Sequence, residues 1–80
     1  MEIDIHRMDL WEAIDEIIYL LEECQIHKER TITIIHGYRH GKILKDYIHS
    51  EGFIREMKKA GFSLKKKTIR NQGATTFFIK

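Results

Sequence analysis

Asp4, His6 and His36 are the side chains of this chain best suited to moving a proton, and the stretch His36-Gly37-Tyr38-Arg39-His40-Gly41 is best suited to holding an anion. Imidazole titrates near the working pH, so His6 or His36 could serve as general base or acid. Asp4 lies two residues before His6, which puts both on one face of an extended backbone, opposite Ile3 and Ile5. Its carboxylate could then orient the imidazole or bind a divalent cation, with Mg²⁺ and Mn²⁺ the candidates. Gly37 and Gly41 permit close backbone approach to a phosphate at the start of a helix, where Arg39 and Lys42 add cationic side chains. His36 and His40 are four apart, but no further ligands accompany them at zinc spacing.

These residues need elements to position them. Ile3-Asp4-Ile5-His6 alternates as a half-buried strand does. Asp9, with Glu12 three residues on, reads as the cap of a helix whose stripe is Leu10, Ile14, Ile17, Leu21 and Cys24, widened by Trp11 and Ile18. Residues 31–36, β-branched almost throughout, form a second strand ending at His36. A second helix follows with Ile43, Leu44, Tyr47 and Ile48 inward, interrupted at Gly52 and continuing as a turn or two to Ala60, with Gly61 as its stop. Phe62 to Ile69 and Ala74 to Ile79 read as strands joined by a turn at Asn71-Gln72-Gly73.

The order β-α-β-α-β-β predicts a single α/β domain over residues 1–80. The first two strands are parallel through a right-handed crossover and the last two form an antiparallel hairpin. Two helices cover one face of a four-stranded mixed sheet better than two faces, so a two-layer sandwich is expected, with Thr31 and Thr33 on the open side. Parallel strands end at one edge, which brings His6 and His36 to a common rim.

Composition narrows the function further. The longest apolar run is five residues, Ile17 to Leu21, well short of the ~20 that cross a membrane. Glu2 and Asp4 stand where a signal peptide would be cationic, and one cysteine, Cys24, allows no disulfide framework within the chain; a soluble cytoplasmic domain is expected. Charge is polarised. Residues 1–30 carry nine acids against three bases, net −6, and residues 31–80 carry three acids against eleven bases, net +8. A basic half points to phosphate. Lys65, Lys66 and Lys67 could track a nucleic-acid backbone with Arg70 and Lys42, or simply protect an edge strand from pairing. Phe77 and Phe78 must face opposite sides of the last strand, one to the core and the other available for base stacking or for covering the sheet.

The two motifs together resemble those of Smr domains, the small MutS-related module. Ile3-Asp4-Ile5-His6 is similar to the Leu-Asp-Leu-His-Gly motif, and His36 to Gly41 to the His-Gly-x-Gly-x-Gly motif. Gly73-Ala74-Thr75 matches the triplet that opens the final strand of many members. The resemblance spans the chain and implies the sandwich already derived, similar to the C-terminal domain of a bacterial translation initiation factor. It also implies nucleic-acid binding and, in several members, endonuclease or nicking activity on DNA or RNA. Asp4, His6, His36, Gly37 and Gly41 match the motifs, whereas Arg7 and Arg39 replace glycines. Both replacements add positive charge and fill space.

The expectation is therefore a domain that binds DNA or RNA and hydrolyses phosphodiesters. Asp4, His6 and His36 would be its catalytic residues; Arg7, Gly37, Arg39, His40, Gly41, Lys42, Lys65, Lys66, Lys67 and Arg70 would hold the substrate. A non-catalytic binding module, or a protein adaptor using the acidic first helix, are the rival readings.

Overall fold

The computed structural model describes residues 1–37, 42–67 and 73–80. Its elements are β1 (Glu2–Asp4), α1 (Leu10–Ile26), β2 (Thr31–Ile35), α2 (Lys42–Ile48), α3 (Glu51–Lys59), β3 (Leu64–Lys67) and β4 (Ala74–Ile79). α1 starts where the Asp9 carboxylate accepts from the Glu12 N–H at 2.8 Å, and it buries Ala13, Ile17, Leu21 and Cys24 at helical spacing. The crossover through α1 leaves β1 parallel to β2, with Ile3 opposite Ile34 and Asp4 opposite Ile35. β4 pairs antiparallel with both β2 and β3, so the sheet order is β1-β2-β4-β3. The lysine-rich β3 is thus an edge, where lysine blocks further pairing.

All three helices pack on one face, and alternation along the strands decides what they cover. Ile32 and Ile34 of β2 and Phe77 of β4 are fully buried, joining Ile17, Phe53 and Met57 in the core. Thr31, Thr33, Thr76, Phe78, Lys65 and Lys67 occupy the other, open face in register with one another. Among the described residues no helix is long and apolar enough to cross a membrane.

The helical half departs from expectation in three places. The break falls at His49–Ser50 and gives two helices; the Ser50 hydroxyl accepts from the Phe53 N–H at 3.2 Å and caps α3, with Gly52 inside that helix. Trp11 and Ile43 are each 76% exposed rather than inward. Both precede the first buried residue of their helices, Ala13 in α1 and Leu44 in α2. Gly61, by contrast, takes the left-handed φ of 99° expected of a helix stop, with the Phe62 N–H donating to Met57 O at 2.8 Å. The expected end of the third strand at Ile69, and Asn71 and Gln72 of the turn, lie outside the described residues.

Candidate functional site

β1 and β2 deliver His6 and His36 to the same rim, and the two backbones touch there. Gly37 adopts φ +74°, and a Cβ on it would lie 3.3 Å from the His6 Cβ. The Ile5 N–H donates to Ile35 O at 2.8 Å, and the His36 and Gly37 amides both donate to Gly73 O, at 3.0 and 2.9 Å. β1, β2 and the start of β4 therefore hold one another at this edge.

On the open side, Asp4 and His6 form a pair. The Asp4 carboxylate accepts from the His6 backbone N–H at 3.0 Å and is hydrogen-bonded to the His6 ring at Nδ1. Nδ1 then carries the proton, and Nε2 is the basic nitrogen. Hydrogen bonding from the His6 ring, then from its backbone N–H, holds the Asp4 carboxyl below the usual carboxylate range. Both side chains are about half exposed. Arg7 lies over the outward nitrogen, its Nε donating to His6 Nε2 at 3.3 Å. Beside them is a groove of about 340 Å³ lined by His6, Arg7, Met8, Asp9, Leu10, Ile43 and Leu44, within the usual ~300–1,000 Å³ of small-molecule pockets.

His36 faces the other way. Alternation continues from Ile32 and Ile34, so its ring enters the helix layer and is fully buried. Nδ1 donates to Gly37 O at 2.8 Å, and Nε2 is 2.8 Å from the Thr75 hydroxyl. That hydroxyl is also 3.0 Å from His49 Nε2, and His49 Nδ1 is 2.7 Å from Lys66 Nζ. The His36 and His49 rings meet edge to face, with centroids 5.6 Å apart. Asp4 and His6 are thus brought together, while His36 shares their rim but not their side of the sheet. Sequence reasoning missed His49 altogether and saw Thr75 only as a motif match. Strand alternation was the available signal, because it sends Lys66 and Thr75 to the helix side.

The basic residues divide in the same way. Lys65 and Lys67 are on the open face, where Lys65 is opposite Phe78 and Lys67 Nζ sits 5.6 Å from the Phe78 ring centre. Lys66 points to His49. Lys42 is exposed at the start of α2. Arg39, His40, Gly41 and Arg70 lie outside the described residues. Among the described residues no three His, Cys, Asp or Glu side chains gather as metal ligands.

The sequence profile of the Smr domain matches residues 3–80. The chain belongs to the Smr family. Among solved structures, the Smr domain of Thermus thermophilus MutS2 is similar in fold, with a TM-score of 0.71 and 24% identity over 99% of this chain and 96% of that one. No curated protein matches the chain. Smr domains are nucleic-acid-binding modules. In this Smr domain the family glycine after the first-motif histidine is Arg7, the residue that covers His6 Nε2.

Proposed function

We propose that this Smr domain binds DNA or RNA across its rim and open sheet face, and that the Asp4–His6 pair acts on the phosphodiester as an endonuclease. The observation that carries this reading is the exposed imidazole, oriented by a carboxylate, with its basic nitrogen turned outward. Asp4 holds one tautomer and stabilises the imidazolium that forms. Nε2 takes the proton of the attacking hydroxyl, from water or from a ribose 2′-OH. The phosphorus–oxygen bond to the leaving group then breaks, and the imidazolium returns the proton to the leaving oxygen. Arg7 must first swing from Nε2 to the phosphate, which its guanidinium can grip with two hydrogen bonds. Lys65, Lys67 and Phe78 add two charges and one ring for stacking toward the other end of the open face. Lys65 and Phe78 are in register with Thr31 at the start of β2, and Lys67 with Thr33. In this reading His36 supports the rim rather than transferring the proton.

The same Arg7 contact favours a second reading, a binding module without catalysis, because the guanidinium occupies the atom that would accept the proton. Labelled single- and double-stranded DNA and RNA, with and without Mg²⁺ or Mn²⁺, separate the two. Cleavage by the wild type that His6→Ala and Asp4→Asn each lower by at least about 10²-fold, at near-normal affinity, supports the enzyme. Tight binding without cleavage supports the module. No binding at low ionic strength overturns both and leaves the adaptor reading through α1.

A further inference from the structure

Lys66 has only donors and the Gly37 carbonyl has only acceptor sites, and the two stand at opposite ends of one chain of hydrogen bonds. The ammonium must donate at 2.7 Å to His49 Nδ1, so the His49 proton resides on Nε2. Nε2 then donates to Thr75 Oγ1 at 3.0 Å, and the Thr75 hydroxyl donates at 2.8 Å to His36 Nε2. His36 is left with its proton on Nδ1, where the Gly37 carbonyl requires it. Starting from the carbonyl gives the same assignment in reverse. With both rings neutral, the two ends of the chain fix one tautomer for each.

We propose that Lys66 and His49 are positioning residues of the rim, which act through Thr75 to fix the His36 tautomer that grips the Gly37 carbonyl beside His6. The proposal rests on the reading above only in treating this rim as the functional site. The chain runs from an exposed lysine to a fully buried histidine, and every member lies on the helix side of the sheet. It also gives the left-handed Gly37 backbone a partner for its carbonyl, while Gly73 takes its N–H.

A proton on His49 Nδ1 would face the Lys66 ammonium with two donors and no acceptor, and the chain would open at that link. The groups around His49 oppose that proton. Burial, Lys66 on β3, His36 at the end of β2 and Lys45 on α2 push its pKa down, and only Asp46 on α2 pulls it up. Acid therefore opens the Lys66–His49 link first, while His49 Nε2–H can still reach Thr75.

Long-range ¹H–¹⁵N spectra of the imidazoles in the ¹⁵N-labelled chain, from pH 8 to pH 5, test this. His36 is expected as the Nδ1–H tautomer and His49 as the Nε2–H tautomer at neutral pH, with the Gly37 amide shifting at the His49 midpoint. Lys66→Met should raise that midpoint for His49 and Gly37 together, and Lys65→Met should move neither. Thr75→Val should uncouple Gly37 from His49, and Thr75→Ser should preserve the coupling. An Nε2–H tautomer at His36, a Gly37 amide indifferent to His49, or a His49 midpoint unmoved by Lys66→Met overturns the proposal. Affinity for a 12-nucleotide single strand should weaken in Thr75→Val and hold in Thr75→Ser. Affinity unchanged in Thr75→Val overturns the link to the rim. No binding at any pH defeats the nucleic-acid reading, while the spectra still decide the tautomer chain.

Discussion

His6 and His36 leave neighbouring parallel strands at one rim, yet their rings lie on opposite sides of the sheet. His6 is held by Asp4 in the open, and His36 is fully buried between Gly37 and Thr75. Their substitutions should separate cleanly. His36→Ala leaves the Thr75 hydroxyl and the Gly37 carbonyl short of a partner and should cost about 1–3 kcal/mol. His6→Ala should change stability by no more than about 0.5 kcal/mol, since it removes an exposed ring. Urea unfolding of the two variants reads the difference.

Arg7→Gly restores the residue of the family motif and uncovers His6 Nε2. If the guanidinium merely obstructs the imidazole, cleavage rises with affinity unchanged. If it clamps phosphate, affinity falls and its salt dependence flattens by about 0.9 in the log–log slope. Cleavage rate and salt-dependent affinity measured on one variant distinguish the two.

The three lysines of β3 should not behave alike. Lys65 and Lys67 face the open side, so Lys65→Gln with Lys67→Gln should flatten the salt slope by about 1.8 on duplex DNA if both meet phosphate. Lys66 is committed to His49 and should leave the slope unchanged when made Gln. A slope that responds equally to all three would show that the alternation does not govern binding.

Stability should decline in mild acid. His49 in the fold is held below its ordinary 6.5, chiefly by burial and by Lys66, so the unfolded chain takes the proton first. Unfolding free energy therefore falls as pH drops below about 6.5 and levels off below the folded-state value. Lys66→Met should shrink this decline, as denaturant titrations at pH 7.5 and 5.5 would register.

Gly37→Ala should cost about 1–2 kcal/mol for the left-handed backbone alone. It should also displace His6, because the new methyl would stand 3.3 Å from the His6 Cβ. A shift of the His6 ring resonances in Gly37→Ala reports the contact.

Much of the fold was legible because the deciding interactions are local. The Asp9 cap, the β-branched run at 31–35 and the Gly61 stop each depend on residues within a few positions of one another, and all stand as expected. The helix break was misplaced because glycine is a general weakener, whereas Ser50 supplies a specific cap that ends one helix and starts the next. Trp11 and Ile43 stand exposed against expectation because a helical stripe gives the direction of the buried face but not its width. Leu44 beside Ile43 is the residue that faces the core.

The sequence by itself determined the Asp4–His6 pair, since two residues on one extended strand must share a face and lie within hydrogen-bond reach. Strand alternation likewise carried the information that His36 belongs with Ile32 and Ile34. Only the tertiary structure decided what His36 meets. Thr75 is 39 residues away in sequence, and His49, bonded to that same Thr75, comes from the helical half. They converge because β4 inserts between β2 and β3 instead of following β3 outward, which places Thr75 beside Ile34 and turns Lys66 toward the end of α2. Strand order depends on how the whole apolar surface is best covered, a property of the folded chain that no local pattern encodes.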